Sequence, residues 1–178
     1  IGTLIIAPLI TLCILFMPFV VNILYSSEFM PANYYISWAV LGMLFKMLSW
    51  AIAFMFVAKG ESKLFMINEA ISCIYTLLIN ILFYKSYGLT GLGMSFTISY
   101  FLYVCQVFII AILRYKFFFS RSLLKIFFQQ MLIIIATFIC IQSVQTFYKY
   151  IFGIIFIIIS ISISLVGLQR RMNIFTLV

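Results

Sequence analysis

The chain has 178 residues, of which 67% are hydrophobic and 8% charged, and its mean hydropathy is +1.30. A soluble domain is about half apolar and about a quarter charged, and a small domain leaves much of any such surface exposed, so a soluble fold is excluded and lipid is the solvent that fits. There is no His and no Asp, the only acids are Glu28, Glu61 and Glu69, and the net charge of +8 sits between apolar runs, which removes most metal and acid–base chemistry and reads as membrane orientation rather than nucleic-acid binding.

The chain begins at Ile1, without Met or a charged leader, and so reads as part of a longer protein rather than one carrying a signal peptide. A helix crossing the hydrocarbon core needs ~20 mostly apolar residues. Six segments qualify: 4–24, 35–58, 64–84, 92–113, 126–147 and 150–168. Lipid cannot satisfy an open strand, and runs such as 154–159 lack the period-two alternation of a barrel strand, so helices are expected throughout. The expected fold class is all-α, a polytopic bundle of six membrane-spanning helices.

The first segment carries Pro8 and Pro18, ten residues apart, which predict kinks that serve either as a hinge or as static bends. A ten-residue connector, 25–34, follows. The second segment holds Lys46 halfway along, too deep to reach either interface easily. Gly42, Ser49 and Ala53 share its face, and Trp38 and Trp50 flank it. Residues 59–63, Lys-Gly-Glu-Ser-Lys, form a tight charged turn around Gly60.

The third segment holds Glu69 about a turn and a half inside. Ser72, Thr76 and Asn80 continue its face, within about 80° at 100° per residue. Residues 85–91, with Gly88 and Gly91, read as the next connector, and the fourth segment repeats a weaker polar face in Ser95, Ser99 and Gln106. Connector 114–125 is long and basic. It is either a topology signal or a site for anionic lipid or a partner. The fifth segment has Gln129, Gln130 and Gln142, and the sixth is rich in Ile and Phe with Ser160 and Ser164 as its polar face. Both read as peripheral helices facing lipid. Residues 1–113 are therefore expected to form four core helices, and 114–178 a basic connector with two accessory ones. Cys13, Cys73, Cys105 and Cys140 all fall in apolar runs without paired spacing and read as small buried hydrophobes.

Basic residues give the orientation. Lys59, Lys63, Arg114, Lys116, Arg121, Lys125, Arg170 and Arg171 fall on one side, against Lys85 and Lys149 on the other. The positive-inside rule puts the first set, and both ends of the segment, in the cytoplasm.

An ionisable side chain at mid-bilayer costs ~2.5–3.5 kcal/mol on insertion scales and usually faces a bundle interior or a watery cavity. Lys46 and Glu69 therefore mark either a polar pathway or a structural ion pair. The Ser and Thr stripes mark either that pathway or close helix packing. Enzyme chemistry is poorly supplied: no paired carboxylates, no His and no large loop. Transport is the stronger class.

Three stretches resemble one family. Leu24-Tyr25-Ser26-Ser27-Glu28-Phe29-Met30-Pro31-Ala32 resembles its outer loop after a proline-bearing span. Residues 42–63 resemble its span ending in an Ala-x-Gly-Lys turn, although here the turn reads Ala58-Lys59-Gly60-Glu61. Asn80 to Lys85, followed by Gly88-Leu89-Thr90-Gly91-Leu92-Gly93, resembles the next outer turn. The family is the bacterial lipid-linked O-antigen and polysaccharide flippases, in the polysaccharide branch of the multidrug/oligosaccharidyl-lipid/polysaccharide exporter superfamily. The resemblance covers 1–113 and corresponds to the C-terminal part of such a protein.

The resemblance implies a two-lobed MATE-like transporter of the bacterial inner membrane. It would flip oligosaccharide on undecaprenyl diphosphate for O-antigen and lipopolysaccharide biosynthesis, with no cofactor. It implies as partners the lipid-linked oligosaccharide, membrane lipids, the missing N-terminal half and other polysaccharide-assembly proteins. Lys46 would meet diphosphate or an acidic sugar, Ser49, Ser72, Thr76 and Asn80 would line the sugar path, and Glu69 would couple an ion or gate. Two alternatives stay open: a drug or small-molecule exporter of the same superfamily, and a membrane scaffold of polysaccharide assembly that transports nothing.

Overall fold

The computed structural model describes residues 2–24, 32–143 and 146–175. Five helices account for nearly all of them: α1 (Gly2–Leu24), α2 (Ala32–Ala58), α3 (Ser62–Tyr115), α4 (Arg121–Ser143) and α5 (Thr146–Phe175). Among the described residues there is no strand. All five are long and apolar enough to cross a membrane. The chain is an all-helical, multi-pass membrane protein. The outer-loop resemblance at 24–32 falls mostly on residues outside those described.

Contacts divide the chain into two compact units, Val21–Phe118 and Ile1–Val20 with Phe119–Val178. Most of α1 thus clusters with α4 and α5.

The first unit consists mainly of α2 and α3. Gly60, at φ 80°, makes the tight turn between them, and its N–H donates to the Val57 carbonyl at 2.9 Å. Straight, the 54 residues of α3 would span about 80 Å against a hydrocarbon core of about 30 Å. The helix breaks once, at Gly88 (φ 59°, ψ −137°), in backbone space that side-chain-bearing residues rarely enter. Hydrogen bonds then pair Asn80 with Ser95, Asn68 with Tyr103 and Gln106, and Glu61 with Arg114. These partners straddle Gly88 almost symmetrically, so the halves of α3 lie antiparallel. The expected connector 85–91 is thus corrected to a single residue, because Gly88 alone can reverse the chain while its neighbours stay helical.

α2 packs on the second half of α3 through small residues. A methyl added at Gly93 would sit 2.5 Å from the Tyr35 carbonyl oxygen, and one at Gly42 would sit 2.7 Å from the Phe96 ring. Thr97 Oγ1 donates to the Trp38 carbonyl at 2.6 Å across the same seam. Lipid is as apolar as Leu, so such close approach and cross-helix hydrogen bonds, rather than hydrophobic burial, hold membrane helices together. Lys116, in left-handed conformation (φ 51°), ends α3, and its N–H donates to the Ile112 carbonyl at 3.0 Å.

In the second unit, Gly153 and Gly167 of α5 receive Leu15 and Leu4 of α1. The α5 helix is therefore not purely lipid-facing, since its glycine face meets α1. α1 stays helical through Pro8 and Pro18. Gln130 of α4 is fully buried and accepts from Ser160 Oγ at 2.7 Å, while its Nε2 donates to the Ser160 carbonyl at 3.1 Å and to Ser164 Oγ at 3.0 Å. The expected basic connector is shorter than 114–125. Ser120 caps α4 through its Oγ, 3.3 Å from the Leu123 N–H, so Arg121 and Lys125 are helical.

The cysteines depart from expectation. All four are free thiols, and Cys13, Cys73 and Cys105 are exposed on their helices rather than buried. A small apolar side chain gains nothing from a protein core over a lipid-facing surface, so apolar sequence context does not fix burial here.

Candidate functional site: a cleft beside a caged lysine

The site lies within the α2–α3 unit. At 1.5 Å per residue and 100° per residue, Glu69, Ser72 and Thr76 rise along one face of the first half of α3. Trp50 comes from α2, and Ser99, Tyr100 and Tyr103 from the second half of α3. Together with Cys73 these residues line a cleft of about 170 Å³. An adjoining cleft of about 270 Å³ shares Trp50 and Glu69 and is otherwise lined by Ala53, Phe54 and Phe65.

Glu69 is held by a chain of hydrogen bonds. Gln106 Nε2 donates to the Asn68 side-chain carbonyl, and to the Asn68 backbone carbonyl at 3.3 Å. Asn68 Nδ2 donates to the Tyr103 hydroxyl at 3.3 Å, and that hydroxyl donates to Glu69 Oε1. Asn68 and Tyr103 are 2% and 3% exposed, so the chain runs through the interior of the hairpin and surfaces only at the carboxylate. Ser72 Oγ donates to the Glu69 carbonyl at 2.8 Å, which leaves its lone pairs for the cleft. Ser99 Oγ is buried and finds no partner.

Lys46 sits in a cage of rings. Its Nζ lies 5.1 Å from the centre of Trp50, 5.2 Å from Tyr100 and 5.6 Å from Phe96. The negative face of each ring attracts an ammonium, worth ~0.5–2 kcal/mol per contact with desolvation at the upper end. This is how a mid-helix cation is accommodated without a carboxylate. Among the described residues the one ion pair is Arg114 with Glu61, at 2.8 Å near the helix ends. The alternative of a Lys46–Glu69 ion pair is therefore corrected: the rings take the ammonium, and Tyr103 takes the carboxylate.

Of the residues expected at a site, the structure gathers Glu69, Ser72 and Thr76 in one cleft and places Lys46 against two rings, Trp50 and Tyr100, that also wall it. Ser49 is fully buried and donates to its own helix at the Lys46 carbonyl, 2.8 Å away, so it does not reach the cleft. Asn80 accepts from Ser95 Oγ and ties the hairpin halves together instead of lining the cleft.

Sequence reasoning passed over Asn68, Phe96, Tyr100 and Tyr103. Phe and Tyr number 32 in this chain, so Phe96, Tyr100 and Tyr103 carry no signal until the hairpin brings the first two to Lys46 and the third to Glu69. Asn68 did carry one, being a buried-type amide beside the only acid of its span. No family model, no curated protein and no solved structure matches the chain.

Proposed function

We propose that this chain is the C-terminal part of a lipid-linked polysaccharide flippase. It would move undecaprenyl-diphosphate-linked oligosaccharide from the cytoplasmic to the outer leaflet of a bacterial inner membrane for surface-polysaccharide synthesis. One observation carries the reading. A lysine is held at mid-helix by three aromatic rings, without a carboxylate partner among the described residues, beside a cleft edged with hydroxyls. Cation–π contacts use no N–H donor, so the ammonium keeps its hydrogen bonds for an incoming anion. In low dielectric a diphosphate or acidic sugar would be attracted strongly. Glu69 is then the group that couples an ion or gates the path.

In this reading Gly88 divides α3 into two crossings, each half exceeding the ~20 residues required. The chain then crosses six times and both ends are cytoplasmic. The six helices would form part of one lobe system of a two-lobed MATE-like transporter.

The test is complementation. The full-length protein is expressed in a strain whose own flippase is deleted, and surface polysaccharide is measured at matched protein level. Lys46→Ala is expected to lower it at least tenfold and Lys46→Arg to retain part. Unchanged polysaccharide with both Lys46→Ala and Glu69→Ala refutes the site. The aromatic and carboxylate walls also favour a second reading, a small-molecule exporter. That reading predicts that deletion raises intracellular dye or drug and leaves polysaccharide intact.

A further inference from the structure

The cleft holds two groups whose bonding capacity the fold does not use. Glu69 carries a carboxylate whose only described side-chain donor is the Tyr103 hydroxyl, and no Lys or Arg pairs with it among the described residues. Ser99 is 3% exposed, lines the cleft, and its Oγ has no hydrogen-bond partner. A buried hydroxyl left unpaired is costly, and native structures usually fill such a position with water or ligand. Both groups are served by one kind of ligand, a cation that also donates and accepts hydrogen bonds.

The walls narrow the choice. Trp50 and Tyr100 present π faces, which carry negative charge density and attract the C–H face of a ring as well as a cation. Those same rings already hold the ammonium of Lys46, so the apolar face of a ligand ring meets them while its own cation lies at Glu69. A bare metal ion would use the oxygens of the cleft but not its ring faces. A quaternary ammonium has no N–H for Glu69 or Ser99. A neutral sugar leaves the carboxylate without a charged donor, and an acidic group is drawn to Lys46 rather than to Glu69. The cleft of about 170 Å³ has room for a single ring, and the adjoining cleft of about 270 Å³ that shares Trp50 and Glu69 continues from it.

We propose that the cleft binds a pyranose bearing a free primary ammonium, an amino sugar within the transported oligosaccharide. The ammonium donates to Glu69, the apolar face of the ring stacks on Trp50, and ring hydroxyls bond Ser99 and Ser72. The proposal rests on the flippase reading for the source of the sugar, but the binding itself does not require transport.

The experiment is scintillation-proximity binding of radiolabelled glucosamine to the full-length protein in lipid nanodiscs, with unlabelled competitors. Glucosamine is expected to saturate and to be displaced at least tenfold better by itself than by N-acetylglucosamine, glucose or methylammonium. Glu69→Gln keeps an acceptor for Tyr103 and is expected to weaken glucosamine about tenfold or more, as for a hydrogen bond to a charged group. Ser99→Ala, which leaves the helices untouched, is expected to weaken it roughly fivefold. Absence of saturable binding overturns the proposal. So does equal binding of N-acetylglucosamine, or of methylammonium, or binding that survives both variants. Each of these outcomes leaves the flippase reading standing, because that reading is decided by surface polysaccharide in Lys46→Ala and Glu69→Ala cells.

Discussion

Two polar clusters sit inside apolar helices of this chain, and they differ in how completely their bonds are closed. In the unit containing α4 and α5, Gln130, Ser160 and Ser164 satisfy one another, and all three are nearly or fully inaccessible. In the α2–α3 unit, Asn68, Gln106, Tyr103 and Glu69 form a longer chain that ends at a cleft, next to a buried serine with nothing to bond. A closed cluster spends its hydrogen bonds on holding helices together. An open one retains bonding capacity for something that is not part of the fold. Residue types alone do not separate the two, since both are built from Ser and amide side chains.

The units also differ in what their glycines face, and this gives the largest expected effect. Gly93→Ala drives a methyl to 2.5 Å from the Tyr35 carbonyl, a backbone atom that can yield only if α2 moves. Overpacking of this kind costs about 1–3 kcal/mol, and more where nothing can give. Gly153→Ala meets Leu15 Cδ1 at 2.3 Å, but that is the far end of a flexible side chain. Thermal unfolding in detergent should show Gly93→Ala well below Gly153→Ala. Equal losses would mean that the α2–α3 seam is not the tighter one.

Gln130→Leu ranks next. It strips the Ser160 and Ser164 hydroxyls of their cross-helix partner while keeping side-chain volume close. Interhelical hydrogen bonds in membranes average ~0.6 kcal/mol and reach ~1.7, so three bonds lost together should cost about 1–2 kcal/mol. The loss should appear in thermal stability with glucosamine binding unchanged. A change in binding would break the division into a closed cluster and an open one.

The extent to which all this could be read beforehand follows from the solvent. Long apolar runs announced every helix, because crossing lipid demands length and uniform apolarity. The Glu69, Ser72 and Thr76 stripe was legible because a helix converts spacing into a face. Asn80 and Ser49 share that kind of spacing but not the cleft. Asn80 is taken by Ser95 from the other half of the hairpin, and Ser49 by its own backbone, and neither partner is encoded in local period. The Gly88 reversal was underestimated for a related reason. Glycine density across 85–91 suggested a loop, whereas one positive-φ residue suffices and the hairpin bonds on both sides keep the rest helical. The exposed cysteines show the limit most plainly, since in lipid an apolar side chain has no preferred side.

Tyr103→Phe is expected to have a smaller effect than Gln130→Leu on stability and a larger one on the site. It removes the donor to Glu69 and the acceptor for Asn68, while the ring stays in place. A loss of about 1 kcal/mol is expected, since Asn68 keeps its bonds from Gln106. Glu69, released from its hydrogen bond, should hold glucosamine less well even though Tyr103 itself need not touch the sugar. Rescue of stability without rescue of binding, for example by a second stabilising substitution elsewhere, would identify Tyr103 as a residue that positions the carboxylate.

Ser99→Ala separates the clusters at the smallest energy. A serine that were part of a closed network would leave a partner orphaned when removed, as Gln130→Leu does. Ser99 Oγ has no partner to orphan, so deleting it removes an unpaired buried hydroxyl, and the unliganded protein should be as stable or slightly more so, by up to about 1 kcal/mol. The same substitution should weaken glucosamine binding. Stability that rises while binding falls is the signature of a residue kept for a ligand at the expense of the fold, and measuring both on one variant avoids any comparison across different mutations. Should Ser99→Ala instead destabilise the protein by as much as Gln130→Leu, then Ser99 has a bonding partner in the membrane, the cleft is closed as the α4–α5 cluster is, and the contrast between the two units disappears.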